Sequence, residues 1–261
     1  MLSSGLIAGF VAGLFAAMLH LVFVQELILL GEDYETGAAV HFMGTAGADA
    51  DAGHTTAPAN AHQTLTETTT EKPAAHSHDG TEAEGHSHAP ANGAEPSPLQ
   101  RNGLTVLFTA LIYAAYGLLM AAGFALAEHY GHRVVARDGI LWGVAGFAAF
   151  ALAPSLGLAP ELPGTPAADL QARQIWWLGT IVATLAGLGM LAFGRGAVAW
   201  IGAALLLAAP HVIGAPHPDG YAGLAPPEVA AGFSARVLGV GLMAWAALGT
   251  LTARMWTRST T

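Results

Sequence analysis

Apolar residues in this chain fall into blocks of about 20, the length that crosses a ~30 Å hydrocarbon core as a helix. Six blocks qualify: residues 2–27, 104–127, 139–158 with a break near Pro154, 175–193, 197–209 with a continuation towards 215, and 230–253. Within lipid every backbone N–H and C=O must be satisfied inside the protein. The expected fold class is therefore all-α, a polytopic membrane bundle of six helices. The tight connection Gly194-Arg195-Gly196 makes the fourth and fifth spans an antiparallel hairpin; were that hairpin re-entrant, the count would fall to five or four. Composition agrees, at 53% hydrophobic and 10% charged, where soluble domains run near a quarter charged. The N-terminal block lacks a basic leader region and a small-residue cleavage site, so it reads as a span rather than a secretory signal.

Short-loop Arg and Lys residues orient such a bundle. With the N-terminus in the cytoplasm, Arg133, Arg137, Arg195, Arg254 and Arg258 fall inside, and most acidic residues fall outside. The expected location is the cell (inner) membrane, multi-pass, with both termini cytoplasmic. Three regions follow: residues 1–30 as the first span, 31–102 as a polar outer loop, and 103–261 as a bundle of about five helices. The loop is too polar to build a packed core and reads as largely disordered.

That loop carries seven of the 12 histidines, between residues 41 and 88. They include the pairs His76/His78 and His86/His88, each separated by one serine. An His-Ser-His pair places two imidazoles on one side of an extended chain, within reach of one ion. Imidazole suits Co, Ni, Cu and Zn. A solvated low-complexity linker is the plainer interpretation, and the histidine density favours metal capture over it. With no cysteine, thiolate ligands and disulfides are excluded, so a metal site must use His, Asp, Glu, Met, Tyr or backbone oxygen. The net charge of -9 lies in the loops and makes nucleic acid an unfavourable partner.

Ionisable groups within spans are functional candidates by default. Gly5, Gly9, Gly13 and Ala17 form a small-residue stripe on the first span, and His20 projects from it. Glu26 stands near the outer end of the same span, followed by the acidic mouth Glu32-Asp33-Tyr34-Glu35. Pro210 lacks an N–H and is expected to break the fifth span. His211, His217 and Asp219 follow it, offering two imidazoles and a carboxylate beside free carbonyls, as at the broken helices of transporters. His20 reads slightly better as an interhelical hydrogen-bonding residue, and His211 reads equally as a satisfied helix-end histidine. Arg236 is expected to pair with Glu228 or snorkel outward. Glu128, His129 and His132 form a small inner cluster that reads best as an exposed helix end. Trp142, Trp176, Trp177, Trp200 and Trp256 lie near span ends and read as interfacial anchors. No P-loop and no nucleophile–base arrangement is visible, so no enzyme activity is expected.

Several segments resemble the CbtA family, predicted cobalt transporter subunits. They are residues 25–29 and 32–35, then Leu141-Trp142-Gly143-Val144-Ala145-Gly146-Phe147, Leu152-Ala153-Pro154, Pro160-Glu161-Leu162-Pro163-Gly164 and Arg173-Gln174-Ile175-Trp176-Trp177. Residues 209–216 and 230–233 complete the series. The resemblance implies cobalt as cargo for cobalamin synthesis, and a small single-span, histidine-rich partner subunit of the CbtB type. It supplies no ligand set. The residues themselves propose His20, Glu26, Glu35, His211, His217 and Asp219 in the membrane part, with His76, His78, His86 and His88 in the loop. No permanently bound cofactor is expected. Nickel and zinc fit the same donors, and the partners expected are a divalent ion, the lipid bilayer and the second subunit.

Overall fold

The computed structural model describes residues 2–41, 97–220 and 222–259. Among these the chain is helical, without strands. The elements are α1 (Leu2–Phe23), α2 (Gln25–Thr36), α3 (Pro98–His129), α4 (Gly139–Phe147), a π-turn at Ala148–Leu152, α5 (Ala153–Ser155), α6 (Leu170–Phe193), α7 (Gly196–Ile213) and α8 (Pro227–Ser259). Six described stretches are long and apolar enough to cross a membrane: Leu2–Phe23, Pro98–His129, Ala136–Ser155, Leu170–Phe193, Gly196–Ile213 and Pro227–Arg258.

Apolar side chains gain little by exchanging lipid for a neighbouring helix, so spans associate through close backbone approach and dispersion. Two glycine seams supply that approach. On α1, Gly5, Gly9 and Gly13 are buried against α3. A Cβ on Gly9 would fall on the Tyr113 carbonyl and the Ala114 Cα, and one on Gly117 would fall on the Gly5 carbonyl. On α4, Gly139, Gly143 and Gly146 are buried against α8. Gly139 faces the Gly249 carbonyl, Gly143 the Trp245 carbonyl, and Gly146 the Trp245 ring. Because α8 also packs along α1, the four helices α3, α1, α8 and α4 form the body. Met120, Phe124, Phe147, Trp245, Leu248 and Trp256 fill its core.

The α6–α7 hairpin lies beside this body. Its α7 packs on α6, while α6 meets the π-turn, α5 and α4. Only two residues separate the hairpin helices, and Gly196 supplies the left-handed φ of +81° that the reversal needs. The hairpin's two helices are separate full-length spans, so the count is six.

Four sequence expectations need correction. First, helix continues into both ends of the segment taken as loop. After a one-residue interruption at Val24, α2 runs to Thr36 and ends on Gly37 at φ 79°. The third helix starts at Pro98, where Ser97 Oγ accepts from the Gln100 N–H at 3.3 Å. Second, Pro210 does not break the fifth span; α7 continues to Ile213. Only one turn follows the proline, and the Gly214 N–H closes that turn on the Pro210 carbonyl at 3.0 Å. Third, the third span ends at Ser155 rather than running on to residue 158, and the break near Pro154 takes the form of the π-turn before it. The Ala153 N–H bonds to Ala148 five residues back, and the Ser155 hydroxyl donates to the Ala151 carbonyl at 2.6 Å. Fourth, Trp256 is buried in the core and Trp142 packs half-buried against it. Trp256 is 2% exposed, and its indole N–H finds Glu128 Oε1 at 3.1 Å; Trp177 and Trp200 are exposed, as anchors would be.

Replacing Gly9 or Gly143 by Leu should separate a seam and destabilise the bundle by ~2 kcal/mol or more. Replacing Gly179, whose Cβ position is open, by Ala should be neutral or stabilising by up to about 1 kcal/mol. Unfolding midpoints in detergent would check both. Trp256→Phe should cost about 1–3 kcal/mol, because it leaves the Glu128 carboxylate unpaired.

Candidate cation site

The chain is interrupted where α1 gives way to α2. Val24 sits at φ -112°, ψ -39°, and is buried with Leu19, Leu162, Phe233 and Val240. Its N–H still bonds to the His20 carbonyl at 2.9 Å, and the new helix starts from its own carbonyl, which accepts from Leu27 at 3.0 Å. The carbonyl of Phe23 accepts instead from Arg236 Nη1 of α8 at 3.1 Å. The same nitrogen lies 3.8 Å from Glu26 Oε2. Arg236 thus turns to the α1 terminus rather than to Glu228. The packing of α8 along α1 brings it there, and the carbonyl end of a helix attracts a cation. Glu26 is 81% exposed, so this pair adds little stability. Its carboxylate remains open to another cation. His20 stands one turn before the interruption, half-buried on the stripe side of α1.

Around this junction the polar side chains of α2 take separate partners. Arg101 binds Glu32 at 2.6 Å, and Gln25 donates to Asn102 Oδ1 at 2.8 Å. These two links join α2 to the first turns of α3. Of the acidic mouth, Glu32 is therefore committed to an arginine. Glu35 is exposed, with its Cβ and Cγ against Gly164. The loop that carries Gly164 is held by Arg173 to Glu161 at 2.9 Å and by the Ser234 hydroxyl to the Pro160 carbonyl at 2.8 Å.

The other proposed donors lie on the hairpin. His211 is exposed near the end of α7, its ring centre 6.2 Å from that of Trp176. The Trp176 indole N–H donates to the Pro210 carbonyl at 3.1 Å, which joins α6 to α7. His217 and Asp219 are exposed in the segment after Gly214. The main partners of α1 are α3 and α8, whereas α7 packs on α6, so His20 and His211 stand on helices without an extensive shared interface. Among the described residues no three His, Asp or Glu side chains gather as a metal cluster. His76, His78, His86 and His88 lie outside the described residues.

At the opposite end of the bundle, Glu128, His129 and His132 disperse. Glu128 accepts from Trp256, while the His132 ring packs on Phe193 at 4.5 Å. A pocket of about 350 Å³ lies there, lined by His132, Arg133, Asp138, Trp142 and Phe193 among others. One polar feature escaped the sequence analysis. Tyr113 and Tyr116 of α3 meet Phe150 and Trp245 in the bundle interior. Tyrosines at the centre of an apolar block were the available signal.

The family model described as "Probable cobalt transporter subunit (CbtA)" matches residues 1–257. No curated protein and no solved structure matches the chain. The match spans essentially the whole sequence, including every helix described above. The chain belongs to the CbtA family of cobalt transporter subunits.

Proposed function

We propose that this chain is the membrane subunit of a transition-metal uptake system and carries cobalt(II) inward across the cell (inner) membrane. The match over residues 1–257 carries this reading. The interrupted first span supports it, since a carbonyl released from the helix ladder and an open carboxylate beside a helix break are oxygen donors of the kind that ion sites use. Both termini are cytoplasmic and the histidine-rich segment is external. His76, His78, His86 and His88 capture the ion in a weak, adaptable site. Glu35, His217 and Asp219 receive it at the mouth, and Glu26, His20 and His211 pass it on. Two charges falling through 100 mV release about 4.6 kcal/mol, enough to drive uptake without a nucleotide. The description of the family as a subunit supports a second component. A small single-span, histidine-rich chain of the CbtB type is the one we expect. Nickel and zinc compete for the same donors, because imidazole affinity alone does not select cobalt.

The lack of three converging donors among the described residues favours one other reading. In it, the chain is a non-transporting delivery or sensor subunit that hands the ion to a larger permease.

Cobalt entry into proteoliposomes under an inside-negative potential separates the two. Transport requires entry above that of empty vesicles, with the partner subunit present or absent; entry equal to empty vesicles in both cases rules it out. His211→Ala should slow entry by about tenfold, the order seen when a metal ligand's support is lost. Deleting residues 43–95, which spares the Ser97 cap and both links at α2, should raise the cobalt concentration needed for half-maximal cellular uptake and leave the maximal rate. The deletion's effect should vanish below about pH 6, where protonated imidazoles no longer bind metal. A delivery subunit predicts the reverse: uptake lost on deletion and retained in His211→Ala.

A further inference from the structure

Tyr113 is the midpoint of α3, about 23 Å from either helix end at 1.5 Å per residue. Three elements bring aromatic rings together at this depth. The Tyr116 ring centre lies 4.8 Å from Trp245 of α8 and 5.3 Å from Phe150 of the π-turn. Phe150 stacks on Trp245 at 5.4 Å and 21°. Tyr113 stands edge-on to Tyr116 at 5.7 Å.

Neither tyrosine hydroxyl has a hydrogen-bond partner among the described residues, and neither oxygen is sealed from its surroundings. An unpaired hydroxyl in hydrocarbon is costly. The far face of α3, with Leu104, Leu107 and Leu111, exposes bare aliphatic side chains. Water is the partner that removes the cost, and it must then enter the bundle from one end. The π-turn adds a second observation. Such turns recur at functional sites, and this one is where the α6–α7 hairpin bears on the body. A shift of the hairpin would therefore move Phe150 against Trp245.

We propose that water reaches the Tyr113 and Tyr116 hydroxyls at mid-membrane, and that these two rings with Phe150 and Trp245 form an aromatic constriction on the path of a divalent cation. The hydroxyl oxygens replace part of the ion's water shell, and the ring faces attract its charge. Closure of the stack excludes water and shuts the path. Passage of the cation along this path rests on the transport function proposed above.

The chain has no cysteine, so one introduced thiol is the sole target of a thiol reagent. Tyr113→Cys, Tyr116→Cys and Leu111→Cys would be treated, as full-length protein in liposomes, with a charged membrane-impermeant methanethiosulfonate. We expect the two tyrosine positions to react at least tenfold faster than Leu111→Cys. Equal, slow labelling of all three overturns the proposal. Because removing a ring can loosen the core, the double variant Tyr113→Phe/Tyr116→Phe keeps the packing and removes only the hydroxyls. Its cobalt entry should fall severalfold with an unchanged unfolding midpoint; unchanged entry overturns the constriction. No entry by the unsubstituted chain would instead sink the transport function, while the labelling rates would still report whether water is present.

Discussion

Close backbone contact along two glycine seams is the interaction on which this bundle depends. Lipid tails solvate Leu and Ile as well as another helix does, so burial of large apolar side chains supplies little drive. Removing the Cβ lets α1 meet α3 and α4 meet α8 at backbone distance. The eighth helix joins the seams, because it packs along α1 on one side and α4 on the other. Everything else is attached to that body: α2 by Arg101 and Asn102, and the α6–α7 hairpin mainly through α6.

Polar groups are distributed accordingly. Ion pairs and charged hydrogen bonds collect at the bundle ends: Glu32 with Arg101, Glu161 with Arg173, Arg236 with the Phe23 carbonyl, and Glu128 with Trp256. Between them, buried threonines return their hydroxyls to their own helix, as Thr180 does to Trp176 and Thr252 to Leu248. The pair Tyr113 and Tyr116 breaks that pattern at mid-depth. A chain that moves a divalent ion must interrupt its apolar interior somewhere, and the α1–α2 junction and this tyrosine pair are the two interruptions that bear on the proposed path.

Much of the fold was legible because span length and small-residue spacing are local properties. The stripe Gly5–Gly9–Gly13 could be placed on one face of α1 by helical geometry alone, though not assigned to α3. Other features failed for reasons of context. Pro210 looked like a break because its missing N–H is a local fact; the single turn after it and the Trp176 indole are tertiary facts. Trp142 and Trp256 looked like anchors from their place near span ends, yet ring packing and the Glu128 carboxylate hold Trp256 in the core with Trp142 against it. Arg236 has Glu228 two turns away in sequence and the α1 terminus next to it in space. Of the candidate site, His20 and Glu26 could be named as candidates from the residues alone, but the Phe23 carbonyl and its bond from Arg236 could not, since that bond exists only where one helix stops and another begins.

The sequence by itself determined that this is a polytopic helical membrane chain, how its small residues are spaced, and, through the residues that resemble CbtA, its family. These follow from hydrocarbon thickness, helical period and residue identity, which need no partner. Only the tertiary structure decided which helix fills each glycine seam, that Arg236 caps the broken first span, and that two tyrosine hydroxyls near the middle of α3 stand beside a π-turn without a partner among the described residues. Those outcomes depend on which backbones come within van der Waals distance, and residues far apart in sequence settle that jointly.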